Sequence, residues 1–260
     1  MAGRLEGKVA IITGASTGLG PVLGSVFARE GARVLLAARR EELVREAAAA
    51  AGNGAIAIRA DVTNEDDVAA MVARAVAEFG HVDILCNNAA APGQDRWIWE
   101  QTLDNWNATI AIDVTAAMLC TREVLNQSML QRGRGVILNF SSTVGYTGMV
   151  RKTHYVTAKA SLRAFTKTVA LEVGPHGIRC NCIVPGVIDT ELFHRWLQRT
   201  ADEQGIDIAD LRAKSLKGVA LQDISSPDDV ANLALFLASD ESRTITGQSI
   251  PVDAGGYMQG

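Results

Sequence analysis

Short apolar runs alternate with helix-length amphipathic segments along the chain, and glycines mark many of the junctions. That alternation predicts an α/β fold: a single-domain, doubly wound parallel sheet with helices on both faces, since parallel strands need crossover connections, usually helical. With 260 residues, 48% of them hydrophobic, the chain can bury one full core spanning residues 1–260. The formal charge of -4, with acids and bases interspersed, argues against a nucleic-acid surface. No apolar run approaches the ~18 residues of a membrane span. The start, MAGRLEGKVAIIT, lacks the three-part pattern of a secretory leader.

Val9 to Thr13 reads as the first strand, buried on both faces. It runs into Thr13-Gly14-Ala15-Ser16-Thr17-Gly18-Leu19-Gly20 and then a helix to about Glu30, closed by Gly31. Pro21 suits a first helical turn, where its missing N–H has no intrahelical partner. A glycine turn between strand and helix lets a pyrophosphate approach the backbone and sit on the positive helix end. Gly14, Ser16, Thr17, Gly18, Leu19 and Gly20 are therefore candidate dinucleotide-binding residues.

Arg33 to Ala38 is the second strand. A site that prefers NAD usually carries an acid here to bond the ribose 2′-OH. This chain has Ala38 followed by Arg39 and Arg40, so Arg39 suits a 2′-phosphate and NADP(H) is favoured over NAD(H). The alternative reading of Arg39 is a solvated loop charge.

Glu41 to Ala51 reads as a helix, Ala55 to Ala60 as the third strand, ending at Asp61-Val62. Thr63-Asn64-Glu65-Asp66 resembles a cap for a helix to Phe79, stopped by Gly80. Val82 to Cys86 is the fourth strand, leading into Asn87-Asn88-Ala89-Ala90. A long helix is expected from Thr102 to about Arg132, through Asp113. Val136 to Phe140 is the fifth strand and delivers Ser141-Ser142. A helix through Tyr155 reaches about Val173, and Ile178 to Val184 is the sixth strand. Residues 191–222 read as a helical segment covering the substrate. Ser226-Pro227-Asp228-Asp229 starts a helix to Ala238, and Gln248 to Val252 makes the last strand. Cys86, Cys120, Cys180 and Cys182 lack C-x-x-C spacing and read as reduced core residues of a cytoplasmic protein. The histidines form no ligand pattern, so no metal site is expected.

The chemistry concentrates at Ser142, Tyr155 and Lys159. An i, i+4 spacing sets the phenol and the ammonium on one helix face. A phenol titrates near ~10, and a cation at ~4 Å can lower that by the ~3 units a base near neutral pH requires. The Ser142 hydroxyl can then hold a substrate oxygen beside the phenol. Taken alone, such a tyrosine is better explained by packing, and it is the company elsewhere in the chain that favours catalysis.

Together, TGASTGLG, Asp61-Val62, Asn87-Asn88-Ala89-Ala90, Ser142, YVTAK at 155–159, PGVIDT at 185–190 and TGQSIPVDAG resemble the short-chain dehydrogenase/reductase family, in family order and over essentially the whole chain. The match is to the compact single-domain branch. The resemblance implies a Rossmann-type fold and hydride transfer between a nicotinamide cofactor and a secondary alcohol or ketone. It implies Tyr155 as general acid/base and Ser142 as holder of the substrate oxygen. Lys159 would lower the tyrosine pKa and bond the nicotinamide ribose. Asp61, with Val62 beside it, falls at the adenine, Asn88 and Ala89 along the cofactor, and Ile188 and Thr190 near the carboxamide. Family members commonly form tetramers through the two long helices, so a homotetramer or homodimer is expected.

Two positions depart from the family pattern. Ala90 replaces a usual glycine. Asp113 stands where an asparagine usually helps hold a relay water beyond the lysine. An aspartate there could still accept from that water, and its charge would raise the Tyr155 pKa; alternatively it points elsewhere. The rival readings are a dinucleotide-binding regulatory or structural protein whose chemistry has lapsed, and a nucleotide-sugar epimerase, for which too few residues remain. Trp97, Trp99, Phe193 and Trp196 suit an apolar or ring-shaped substrate, or equally the packing of a cover or subunit contact.

Overall fold

A computed structural model describes residues 3–258, so the outermost two positions at each end of the expected domain lie outside the described residues. The strands are β1 Val9–Thr13, β2 Arg33–Ala38, β3 Ile56–Arg59, β4 Ile84–Asn87, β5 Gly135–Phe140, β6 Ile178–Pro185 and β7 Ser249–Val252. They form one sheet in the order β3-β2-β1-β4-β5-β6-β7, with every neighbouring pair parallel. The chain winds outward from β1 in one direction, then crosses to β4 and winds in the other. Such a reversal opens a crevice beyond the carboxyl ends of β1 and β4.

The helices are α1 Leu19–Arg29, α2 Glu41–Ala51, α3 Glu65–Phe79, α4 Leu103–Ile110, α5 Ala116–Val124, α6 Leu130–Arg132, α7 Val144–Thr147, α8 Thr153–Val173, α9 Glu191–Gln204, α10 Ile208–Leu216 and α11 Pro227–Ala238. Alternate residues of a strand face opposite sides of a sheet, which divides the core in two. Ala10, Ile12, Val34, Leu36 and Leu138 pack under α1, α2 and α11. Val9, Ile11, Leu35, Leu85 and Ile137 pack under α3, α5 and α8. The sheet is buried on both faces, which is why its strands read as continuous apolar runs.

Helix starts follow the chemistry of their sequence. Asn64 caps α3 by accepting the Asp67 amide, and Ser226 and Asp229 form a reciprocal capping box at α11, with Pro227 in the first turn. Several strand boundaries differ from expectation by a residue or two, as ends commonly do. The larger difference lies in the long helix expected from Thr102 to about Arg132. It is α4, α5 and α6 in succession, joined by π-helical turns at Ala111–Thr115 and Leu125–Met129. Residues 191–222 contain α9 and α10, which share a small core of Leu197, Ala201 and Leu211 with Phe193 and Trp196 packed on it.

Candidate active site

The carboxyl ends of β4, β5 and β6 carry the functional side chains to one edge of the sheet. Ser142 follows β5, and Tyr155 and Lys159 lie one turn apart near the start of α8. Lys159 is buried; its Nζ donates to the Phe140 carbonyl at 3.0 Å. The lysine's own carbonyl accepts from Ser141 Oγ at 2.6 Å, which ties α8 to the end of β5. The Lys159 Nζ stands 5.5 Å from the centre of the Tyr155 ring, and the Ser142 hydroxyl lies near enough to the phenol to lower its pKa.

Asp113 does not point elsewhere. It is buried, with Oδ2 3.1 Å from Lys159 Nζ and Oδ1 accepting the Ala91 amide at 2.8 Å. Among the described residues no well-directed hydrogen bond reaches Oδ2, and the close Lys159–Asp113 ion pair holds the two groups together. The π-turn at Ala111–Thr115 contains Asp113. Such a turn inserts a residue into the α-helical repeat and re-aims the side chains it contains, and π-turns recur at functional positions.

The balance of charges differs from the simple sequence argument. Burial pushes the Tyr155 phenol up; Lys159 pulls it down, Asp113 pushes it up again, and the Ser142 hydroxyl pulls it down. The sum lies above the ordinary tyrosine value, so the ammonium's pull, expected to prevail, is outweighed. The missing element in that expectation was burial, which disfavours the phenolate. Burial also disfavours the Lys159 ammonium, but Asp113 and Tyr155 overcome it and hold the lysine above its ordinary value.

At the crevice, Asn88 locks the glycine turn. Its Nδ2 donates to the Thr13 carbonyl at 2.9 Å and the Gly14 carbonyl at 3.3 Å, while the amides of Asn88 and Ala89 both donate to Thr13 Oγ1 at 3.1 Å. A Cβ on Gly14 would lie 2.6 Å from Ala89 Cα, and one on Gly20 would lie 2.6 Å from Ala15 Cα. Only glycine permits this approach. Gly18, the N-cap of α1, has φ 66°, no side chain caps the helix, and no acid occupies its first turn. A Cβ on Gly18 would meet nothing within 4 Å. Gly18 thus leaves open space at the positive end of the helix, and the residues present fit a dinucleotide pyrophosphate.

The arginines after β2 divide their tasks. Arg40, not Arg39, reaches the turn: its Nη2 donates to Ser16 Oγ at 2.9 Å and Thr17 Oγ1 at 2.8 Å. Arg39 is exposed and lies near Asp61. Burial pushes the Asp61 carboxyl up, but hydrogen bonds from the Thr63 hydroxyl and amide, with Arg39 and Arg59 nearby, hold it below its ordinary value. Val62 beside it is buried. Ile188 pairs with Ser225 in an isolated bridge, and Thr190 caps α9 by accepting the Phe193 amide. Ala90 is exposed, so its methyl group crowds no core. Sequence reasoning missed Thr13 as a lock, Arg40 on the turn and the buried His154. Thr13 could have been found from its place between strand and turn; His154 has no spacing signal.

A seven-stranded parallel sheet, doubly wound and opened at its reversal point, defines a Rossmann-type α/β protein. A family model described as enoyl-(acyl carrier protein) reductase matches residues 14–257. A 2,5-dichloro-2,5-cyclohexadiene-1,4-diol dehydrogenase of Sphingobium indicum is 36% identical over 98% of each chain. A cis-4-hydroxycyclohexanecarboxylate dehydrogenase of Sinomonas cyclohexanicum is 35% identical over 96% of each chain. A galactitol 2-dehydrogenase of Agrobacterium fabrum is 35% identical over 98% of this chain and 99% of its own. The chain belongs to the short-chain dehydrogenase/reductase family of oxidoreductases, whose members use a nicotinamide cofactor. Among the described residues no helix is long and apolar enough to cross a membrane.

Proposed function

We propose that this protein is an NADP(H)-preferring dehydrogenase/reductase that interconverts a secondary alcohol and its ketone, with Tyr155 as general acid/base. The observation that carries the reading is the cluster of Ser142, Tyr155 and a buried, ion-paired Lys159 beside an open glycine turn. Gly14, Ser16, Thr17, Gly18, Leu19 and Gly20 would hold the pyrophosphate, and Asp61 and Val62 the adenine side. Asn88, Ala89, Ile188 and Thr190 would line the rest, and Arg39 and Arg40 would meet a 2′-phosphate. Once bound, the nicotinamide supplies or accepts the hydride. In reduction the Tyr155 O–H gives its proton to the substrate oxygen, while Ser142 hydrogen-bonds that oxygen and Lys159 stabilises the tyrosinate left behind.

The raised phenol has a direct consequence. Near neutral pH Tyr155 is protonated, the form that donates to a ketone, whereas alcohol oxidation needs the phenolate and gains from alkaline pH. Two of the relatives are named for six-membered-ring alcohols, and Trp97 and Trp99 stack in the open with ring centres 5.1 Å apart. Both support a ring-bearing substrate. Met118 on α5 and Leu171 on α8 are exposed, which supports a dimer or tetramer built on those helices. Four free, buried cysteines support a cytoplasmic setting.

A panel of cyclic and open-chain ketones and alcohols, run with both cofactors, finds the substrate. Tyr155→Phe on that substrate then tests the reading: turnover should fall about 10²–10⁴-fold while cofactor still binds. Full activity in Tyr155→Phe refutes the assignment.

A further inference from the structure

His154 precedes Tyr155, is fully buried and takes no part in the proton chemistry above. Its Nε2 lies 3.1 Å from the Pro92 carbonyl oxygen, which only accepts, so Nε2 carries a proton. Its Nδ1 lies 2.7 Å from Gln101 Nε2, an amide nitrogen that only donates, so Nδ1 is the acceptor. The orientation of that amide is set independently. Gln101 Oε1 accepts from Asn105 Nδ2 at 2.8 Å and from the Thr102 amide at 3.2 Å. Asn105 is oriented by main chain: its Oδ1 accepts the Gln94 amide at 2.8 Å, and its Nδ2 donates to the Gln94 carbonyl at 3.1 Å. From Pro92 round to Gln94 the bonds close a ring in which every donor meets an acceptor.

The segment held in this way, residues 91–101, joins β4 to α4 and carries Trp97 and Trp99. Lys152 brings it beside the candidate acid/base. Its Nζ donates to the Pro92 carbonyl at 3.0 Å, pairs with Asp95 at 2.5 Å, and stands 5.9 Å from the centre of the Tyr155 ring. Gly93, at φ +62°, completes the fit: a Cβ there would overlap His154 Nε2 and lie 2.8 Å from Thr109 Oγ1.

We propose that His154 is a positioning residue. Through Pro92 and Gln101 it clasps residues 91–101 to the start of α8 and so shapes the substrate side of the site. The link to substrate rests on the reading of Tyr155 given above; the clasp itself does not.

Two measurements separate these parts. His154→Phe keeps an aromatic ring and removes both polar contacts, while His154→Gln returns a donor toward Pro92. By hydrogen exchange, the Gln94 amide should lose protection about 10-fold or more in His154→Phe and recover in part in His154→Gln, with β1 and β4 unchanged. For substrate turnover, KM should rise about 10-fold in His154→Phe with kcat nearly constant, and the glutamine should rescue it in part. Should His154→Phe fail to fold, Gln101→Met, which leaves the histidine in place, carries the same two measurements. Unchanged protection of residues 91–101 overturns the clasp, whatever the substrate. A loosened segment with unaltered KM overturns its role toward substrate. A failure of the Tyr155 assignment shows instead in Tyr155→Phe and leaves the exchange result standing.

Discussion

Asp113 Oδ2 lies 3.1 Å from Lys159 Nζ, and both side chains are buried. The carboxylate therefore opposes the ammonium at the place where the ammonium acts on Tyr155. At an effective dielectric of about 20, charges this close attract by about 5 kcal/mol before desolvation is charged against them. Asp113→Asn keeps an acceptor for the Ala91 amide and removes the charge. The alcohol-oxidation profile of kcat/KM should then move to lower pH, because one of the groups that raise the phenol is gone. An unchanged or upward-shifted profile rules this account out.

The same pair bears on stability. Lys159 is held above its ordinary value, so the stability its raised pKa contributes is complete at neutral pH and is lost as pH climbs through that raised value. Asp113→Ala leaves a buried ammonium without its counter-charge and should cost about 3 kcal/mol in urea unfolding at pH 7. A loss below about 1 kcal/mol would show that the Phe140 carbonyl alone satisfies the lysine.

The proposed preference for NADP(H) rests on two arginines. Arg40 is held over the glycine turn by Ser16 and Thr17, and Arg39 stands free of such bonds beside Asp61. Replacing either with alanine should weaken NADPH binding about 10-fold or more and NADH binding far less, since only NADPH carries the 2′-phosphate. Ala38→Asp should favour NADH by adding a ribose acceptor and repelling the phosphate. Isothermal titration with both cofactors measures this. Equal losses for the two cofactors, or a wild-type preference for NADH, would end the NADP assignment.

Asp83 illustrates what the sequence hid. It is buried at the amino end of the sheet, with Oδ2 accepting the Val9 amide at 3.0 Å and lying 2.8 Å from His81 Nε2. Arg132 and Arg134 approach its Oδ1 at 3.3 Å and 3.6 Å. Asp83→Ala should cost about 1–3 kcal/mol, because it leaves the buried Val9 amide without its acceptor while the partly exposed Arg132 and Arg134 can turn to water; a loss well under about 1 kcal/mol would show that water replaces the carboxylate.

The elements themselves were legible because each writes its physics locally. Apolar runs mark doubly buried strands, Ser226-Pro227 marks a helix start, and the glycine turn sits where strand meets helix. Ser142, Tyr155 and Lys159 were legible from spacing on one helix and one strand end. The placing of Asp113 beside Lys159 was legible only through its position in the family pattern, while the contacts of Asp83 with Val9, Arg132 and Arg134 and those of His154 were not, because these partners are distant in sequence and meet only when the sheet is assembled. The π-turn around Asp113 was invisible for a related reason. It adds one residue to a helical repeat without any glycine or proline to announce it.

The segment proposed to cover the substrate, residues 191–222, supplies the last test. Thr190 both caps α9 and belongs to the loop after β6, and Asp189 pairs with His194 at 2.6 Å, so the segment starts directly from the candidate cofactor loop. Its apolar residues, Leu197, Ala201 and Leu211, form a cluster separate from the two that bury the sheet. A unit with its own small core can open without unfolding the domain. Leu211→Ala should therefore raise the substrate KM several-fold while lowering the global Tm by under about 2 °C. Leu85→Ala, within the main core on β4, should instead lower Tm by about 8 °C or more. A fall in Tm for Leu211→Ala as large as that for Leu85→Ala would place the segment inside the cooperative domain. An unchanged KM would deny it any part in holding substrate.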